Sequence, residues 1–111
     1  SSNVIANPGV RVGDNSMILA GTTFSKDVPP YILVGGTPVK YNGINQGILE
    51  YLNISQKVQD HIANAYRLVF HGKNSIFDAV LQINAQVPDG PEIRNIVNFI
   101  KGTKLGIVCK M

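Results

Sequence analysis

The chain has 111 residues, the length of one ordinary domain, with 44% hydrophobic and 15% charged residues. That composition excludes a charge-rich disordered tail. A net charge of +3, no tryptophan and few aromatics also exclude the clustered basic, stacking surface of a nucleic-acid binder. No apolar run reaches the length of a membrane span, and no basic-plus-apolar leader opens the chain, so the expected location is cytoplasmic. A single cysteine, Cys109, allows neither an internal disulfide framework nor a multi-cysteine zinc site.

Residues 1–45 hold most of the glycine and proline, and their apolar rhythm has a period of six. Ala6, Val12, Ile18 and Phe24 mark it, and small or β-branched residues (Val10, Ser16, Thr22, Val28) follow each at the fourth place. Turn-forming pairs, Gly13-Asp14 and Ala20-Gly21, lie between. This is the hexapeptide pattern of a parallel β-helix: the large aliphatic fills the interior of a triangular coil, and the small residue fits near a corner. Three hexapeptides close one coil, so about two coils are expected. The competing reading is a β-hairpin over Val12–Phe24. Two coils fall short of the three or so repeats that stable solenoids need. Together with a start at Ser1 rather than methionine, this favours a fragment whose first coil offers an open strand edge.

The rhythm changes after Gly35-Gly36-Thr37-Pro38 and Asn42-Gly43, which are turn sequences. Residues 46–111 are expected to form a helical domain. A short helix is predicted from about Gln46 to Leu52. Ser55 caps the next, with Val58, Ile62, Ala65 and Val69 on one face, ending at His71-Gly72. Ser75 caps a third, carrying Phe77, Val80, Leu81 and Ile83 on its apolar side. Pro91 opens a fourth at the first helical position, its stripe Ile93, Ile96, Val97 and Ile100 stopped by Gly102.

Hexapeptide coils, then Asp27-Val28-Pro29-Pro30-Tyr31, then Gly43-Ile44-Asn45, then helices with Asn64-Ala65-Tyr66-Arg67-Leu68 follow a familiar order. The chain resembles the C-terminal part of the bacterial UDP-N-acetylglucosamine O-acyltransferases, which open lipid A synthesis. The resemblance runs over nearly the whole chain. It implies a left-handed parallel β-helix, an exception to the usual right-handed crossover, followed by a C-terminal α-helical domain, in a homotrimer. It implies transfer of a 3-hydroxyacyl group from acyl carrier protein to the 3-hydroxyl of the nucleotide sugar, without a cofactor or metal. The family's general base is a histidine in coils that would precede Ser1, and backbone amide stabilises the oxyanion. Neither His61 nor His71 aligns with it, so no catalytic residue is assigned within the chain.

Residue by residue, Asn45 matches the substrate-contacting asparagine of the family's Gly-x-Asn. It could equally cap the short helix that follows. Ala20 matches the position that limits acyl-chain depth, and alanine also suits a coil corner. Three departures stand out. Asn7-Pro8 replaces a His-Gln pair, Gly47 replaces a glutamate, and Tyr51-Leu52 replaces two arginines that meet substrate phosphates. Tyrosine and leucine cannot supply those charge-assisted, bidentate contacts. A diverged, non-catalytic trimeric hexapeptide protein is therefore the alternative; an acetyl-coenzyme A acyltransferase is disfavoured by the helical tail. Lys101, Lys104 and Lys110 could meet an acidic carrier protein, or be ordinary solvated lysines.

Overall fold

The computed structural model describes residues 5–6, 9–36, 38–72 and 75–109. Five strands come first: β1 (Ile5–Ala6), β2 (Met17–Ile18), β3 (Thr23–Phe24), β4 (Ile32–Gly35) and β5 (Lys40–Ile44). Four helices follow: α1 (Gln46–Tyr51), α2 (Gln56–Phe70), α3 (Ile76–Gln86) and α4 (Pro91–Lys101). Asn7-Pro8, Thr37 and Lys110 lie outside the described residues.

The strand pairings show coils rather than a hairpin. Strands β1 and β3 pair in parallel, Ile5 opposite Thr23 and Ala6 opposite Phe24, a step of three hexapeptides. Val12 bridges Val28 in parallel, and β2 pairs with β4 in parallel, Ile18 opposite Val34. Those two steps are two residues shorter. The shortfall lies between Phe24 and Val28, where one corner has lost two residues. Val28 is therefore not at a small corner position, as the hexapeptide count predicts. It is a fully buried interior residue stacked beneath Val12.

The corners repeat too. Gly9, Asn15 and Gly21 have φ of 84°, 62° and 80°, six residues apart, and Tyr31 at 69° repeats Asn15 one coil later. Each corner turns through a residue in the left-handed region, where glycine costs nothing and asparagine little. Tyrosine there is unusual. At Gly13 the coils approach so closely that a Cβ would overlap the backbone nitrogen of Pro30.

The coil does not continue past β4. Gly36, at φ 98°, turns the chain so that β5 returns antiparallel beside β4, with Gly35 opposite Lys40 and Ile32 opposite Ile44. The sequence reading treats this stretch as turns only; the strand is missed because Lys40, Tyr41, Asn42 and Gly43 show no alternation. Sheet order is accordingly β2-β4-β5, with β1-β3 forming a second face.

The helices bury the faces their spacing predicts, with one correction. Ser55 accepts from the Val58 amide at 3.3 Å and Ser75 from that of Asp78 at 3.2 Å, so both act as N-caps. In α4, Ile93, Ile96, Val97 and Ile100 are all buried. In α3 the buried residues are Ala79, Val80 and Ile83, while Phe77 and Leu81 are 70% and 67% exposed. The apolar side is wider than the face that packs, and the neighbouring helices α2 and α4 take only one edge of it. The first coil is likewise open: Val12 is 47% exposed although it faces the interior series, since no described residue stacks above it.

The C-terminal residues also depart from helix. Ile107 and Val108 are buried, and Ile107 bridges Asp27 in parallel. Asp27 N–H donates to the Gly106 carbonyl at 2.8 Å, and Val108 N–H to the Asp27 carbonyl at 2.9 Å. The Asp27 carboxylate accepts from the Arg11 amide at 2.8 Å and from the Thr103 hydroxyl at 2.6 Å. Arg11 in turn lies over the Phe99 ring, 4.5 Å from its centroid. One buried side chain thus joins first coil, second coil and tail.

Asp27→Ala leaves the Arg11 N–H without its acceptor and removes the Thr103 contact. A loss of about 1–3 kcal/mol is expected for two part-buried hydrogen bonds to a charged acceptor, a fall in melting temperature of roughly 4–8 °C per kcal/mol in a domain this size. Differential scanning calorimetry of the variant checks it; an unchanged melting temperature would show that the tail and coils hold without the carboxylate.

Candidate functional site

Asn45 stands where β5 ends and α1 begins. Gly43, at φ 99°, bends the strand just before it. The Asn45 backbone N–H donates to the Tyr31 carbonyl at 2.7 Å, and Tyr31 N–H donates to the Asp14 carbonyl at 3.0 Å. The Asn45 side chain reaches one coil further, its Nδ2 donating to the Asn15 carbonyl at 3.0 Å. Asn45 occupies the N-cap position of α1, yet its side chain makes no capping bond. The amide therefore serves the coil corner and not the helix. Its oxygen and second N–H remain as one acceptor and one donor at a half-buried surface.

That corner is braced from the helical side. The Tyr66 hydroxyl donates to the Pro30 carbonyl, and Asn95 donates through Nδ2 to the Tyr31 hydroxyl at 3.1 Å. These bonds hold Tyr31 in its left-handed conformation and keep Asn15, Tyr31 and Asn45 in register. Sequence reasoning singles out Asn45 but not Asn15 or Tyr31. The available signal was the six-residue spacing of Gly9, Asn15 and Gly21, residues that all tolerate positive φ.

Ala20 is not brought to Asn45. It is exposed, on the turn with Gly21 beyond the far end of β2, whereas Asn15 precedes β2. The two-residue strand β2 and its flanking residues lie between the two. Gly47 sits in the first turn of α1, where a Cβ would meet nothing within 4 Å, so packing does not demand a glycine there. Tyr51 is 80% exposed and Leu52 43%. The α1 sequence QGILEY holds no cation. His61 and His71 both belong to α2 and its C-cap, ten residues or about 15 Å apart along the helix. They form no acid–base pair. Lys101 and Lys104 are exposed.

Behind the corner lies an aromatic stack. The Tyr41 and Phe70 rings are 4.4 Å apart and nearly parallel, and Tyr66 stacks on Phe70 at 5.8 Å. Burial pushes the Tyr41 hydroxyl up to about 12. Tyr66 is fully buried, and burial, followed by repulsion from Tyr41 and Tyr31, raises its hydroxyl well above the ordinary tyrosine value.

Comparison with known proteins gives this arrangement a family. Residues 27–108 match the family described as UDP N-acetylglucosamine O-acyltransferase, domain 2. The chain belongs to this family. Among curated UDP-N-acetylglucosamine O-acyltransferases, the one from Syntrophobacter fumaroxidans is 34% identical over 97 residues, 86% of this chain and 38% of the relative. The UDP-N-acetylglucosamine acyltransferase structure from Bacteroides fragilis superposes with a TM-score of 0.93 at 40% identity, over 96% of this chain and 42% of that one. The Acinetobacter baumannii structure gives 0.91 at 26% identity, with the same coverage. The chain thus spans about two fifths of the length of these acyltransferases, and its parallel coils followed by helices match their fold. Among the described residues no helix is long and apolar enough to cross a membrane.

Both tyrosines stabilise the fold only while protonated. Unfolded tyrosines lose their protons near pH 10, before Tyr41 and Tyr66 do, so stability is full below that pH and falls as pH rises from 10 through 12. Denaturant midpoints measured from pH 8 to 12 should decline above 10, and less steeply in Tyr66→Phe. Equal slopes in both proteins would contradict the raised hydroxyl.

Proposed function

We propose that the protein containing this chain is an acyltransferase that moves a 3-hydroxyacyl group from acyl carrier protein to the 3-hydroxyl of UDP-N-acetylglucosamine. It would work as a homotrimer of left-handed β-helices, with residues 1–45 as the last coils and connecting loop and 46–111 as the helical domain. The observation that carries this reading is the Asn45 amide, held on the Asn15 corner with polar atoms to spare, in a chain of this family. In the reaction the sugar hydroxyl oxygen attacks the acyl carbonyl, a histidine takes its proton, and the carrier's thiol leaves. That histidine comes from outside residues 1–111, since His61 and His71 lie on the helical side. Asn45 orients the nucleotide sugar, and Ala20 limits the depth of the acyl chain.

One observation favours a second reading. A helix without a cation, ending in an exposed Tyr51, replaces the family's phosphate-gripping arginines. A diverged trimeric protein that no longer transfers acyl groups would tolerate this loss.

Replacing Asn45 by alanine separates the readings. A lost hydrogen bond of about 0.5–1.5 kcal/mol corresponds to a several-fold weaker grip on the nucleotide sugar. The backbone bond to Tyr31 survives and only the exposed side-chain bond to the Asn15 carbonyl is lost, so the melting temperature should fall by no more than a few degrees. Calorimetric binding and acyl-transfer assays on the intact protein read the outcome. No detectable binding or turnover by the unmutated protein would support the non-catalytic reading. Unchanged affinity with a large stability loss in the variant would make Asn45 a purely structural residue.

A further inference from the structure

At the opposite end of β5 from Asn45, about 16 Å away along the strand, two cavities of about 540 and 380 Å³ lie side by side and share Pro38, Val39 and Cys109. Both are within the size range of small-molecule sites. Neither Asn45 nor Ala20 lines them. The larger has Phe24, Val39 and Val108 as apolar lining; the smaller is walled by the stacked Tyr41 and Phe70. The rim carries a cation, Lys40. Lys40 and His71 border the smaller cavity, and among the described residues no carboxylate lines either. Cys109 donates to the Val39 carbonyl at 3.3 Å, and burial raises its thiol, so it adds no negative charge at neutral pH.

An apolar trough with a lysine ammonium and an imidazole at its end suits a ligand with a tail and an anionic head. We propose that this groove binds a single-chain anionic amphiphile, with its head on Lys40 and His71 and its tail along Phe24, Val39 and Val108. The head gains a charge-assisted hydrogen bond from Lys40 on the hairpin and a hydrogen bond from the His71 imidazole at the end of α2. The tail crosses the seam at Pro38 and Val39 and covers apolar surface that the fold leaves open. A neutral amphiphile would lack the first contribution, and inorganic phosphate the second.

Titration calorimetry of the intact protein with octanoate, decanoate and dodecanoate, each below its micelle concentration, tests the proposal. One site per chain is expected, with affinity rising about two- to fourfold per added methylene. Lys40→Gln should weaken decanoate binding at least fivefold, and Val39→Asn should flatten the chain-length dependence. Lys57→Gln, on the exposed start of α2, should change neither. Thermal melts of each variant show whether it is folded, and decanoate shifts in amide NMR spectra should map to Pro38–Tyr41 and Val108–Cys109. Several weak sites, affinity independent of chain length, or equal binding of a decyl maltoside would overturn the proposal. So would competition by an acidic peptide with no effect of Val39→Asn, or a Val39→Asn variant that alters only the oligomeric state. The last two would assign the groove to a protein partner or to a second copy of the chain.

Discussion

Asp27 is the point on which the parts of this molecule converge. Two coils of β-helix are too few to stand as a solenoid, and four short helices are marginal alone. The buried Asp27 carboxylate ties Arg11 of the first coil to Thr103 beyond α4, and its backbone pairs with Gly106 and Val108. The tail consequently adds a strand-like rung where a third coil would otherwise lie. A buried carboxylate is costly unless its acceptor sites are met, and here each oxygen has a donor. The lost pair of residues between Phe24 and Val28 belongs to the same arrangement, because the shortened corner places Asp27 against both Arg11 and the tail.

The opposite corner carries the candidate site. Asn15 and Tyr31 stack at positive φ, one coil apart, and Asn45 continues the column by backbone and side chain. Tyr31 bears the less favourable conformation, which is offset by bonds from Asn95 to its hydroxyl and from Tyr66 to the neighbouring Pro30 carbonyl. The helical half is therefore more than an appendage: α2 and α4 both reach the corner that positions Asn45. A change in that packing would be felt at the amide before any ligand arrives.

The placement of two chemically different surfaces at opposite ends of one strand follows from β5. Its C-terminal end delivers Asn45 to the coil corner of Asn15 and Tyr31, and its N-terminal end opens a trough with Lys40 and aromatic rings. The length of β5 separates them, and the hairpin between β4 and β5 lines the trough. It also ends the coil, because an antiparallel strand beside β4 occupies the edge on which a further parallel strand would pair.

The parallel coils, the four helices and the serine caps of α2 and α3 were legible in the sequence because each rests on a local period or a local hydrogen bond. Six-residue spacing follows from coil geometry, and Ser55 and Ser75 cap helices through amides three residues away. Asn45 was legible only through resemblance; its spacing alone left a cap and a ligand contact equally open. The structure decided that its side chain goes to Asn15, thirty residues away, an outcome no local pattern encodes. The same holds for Val28 in the interior, Phe77 and Leu81 in solvent, β5 beside β4, and Asp27 joined to Thr103. Each depends on which long-range surface arrives first to bury an apolar face or satisfy a polar group. Periodicity shows that a face is apolar, but only the tertiary packing determines what covers it.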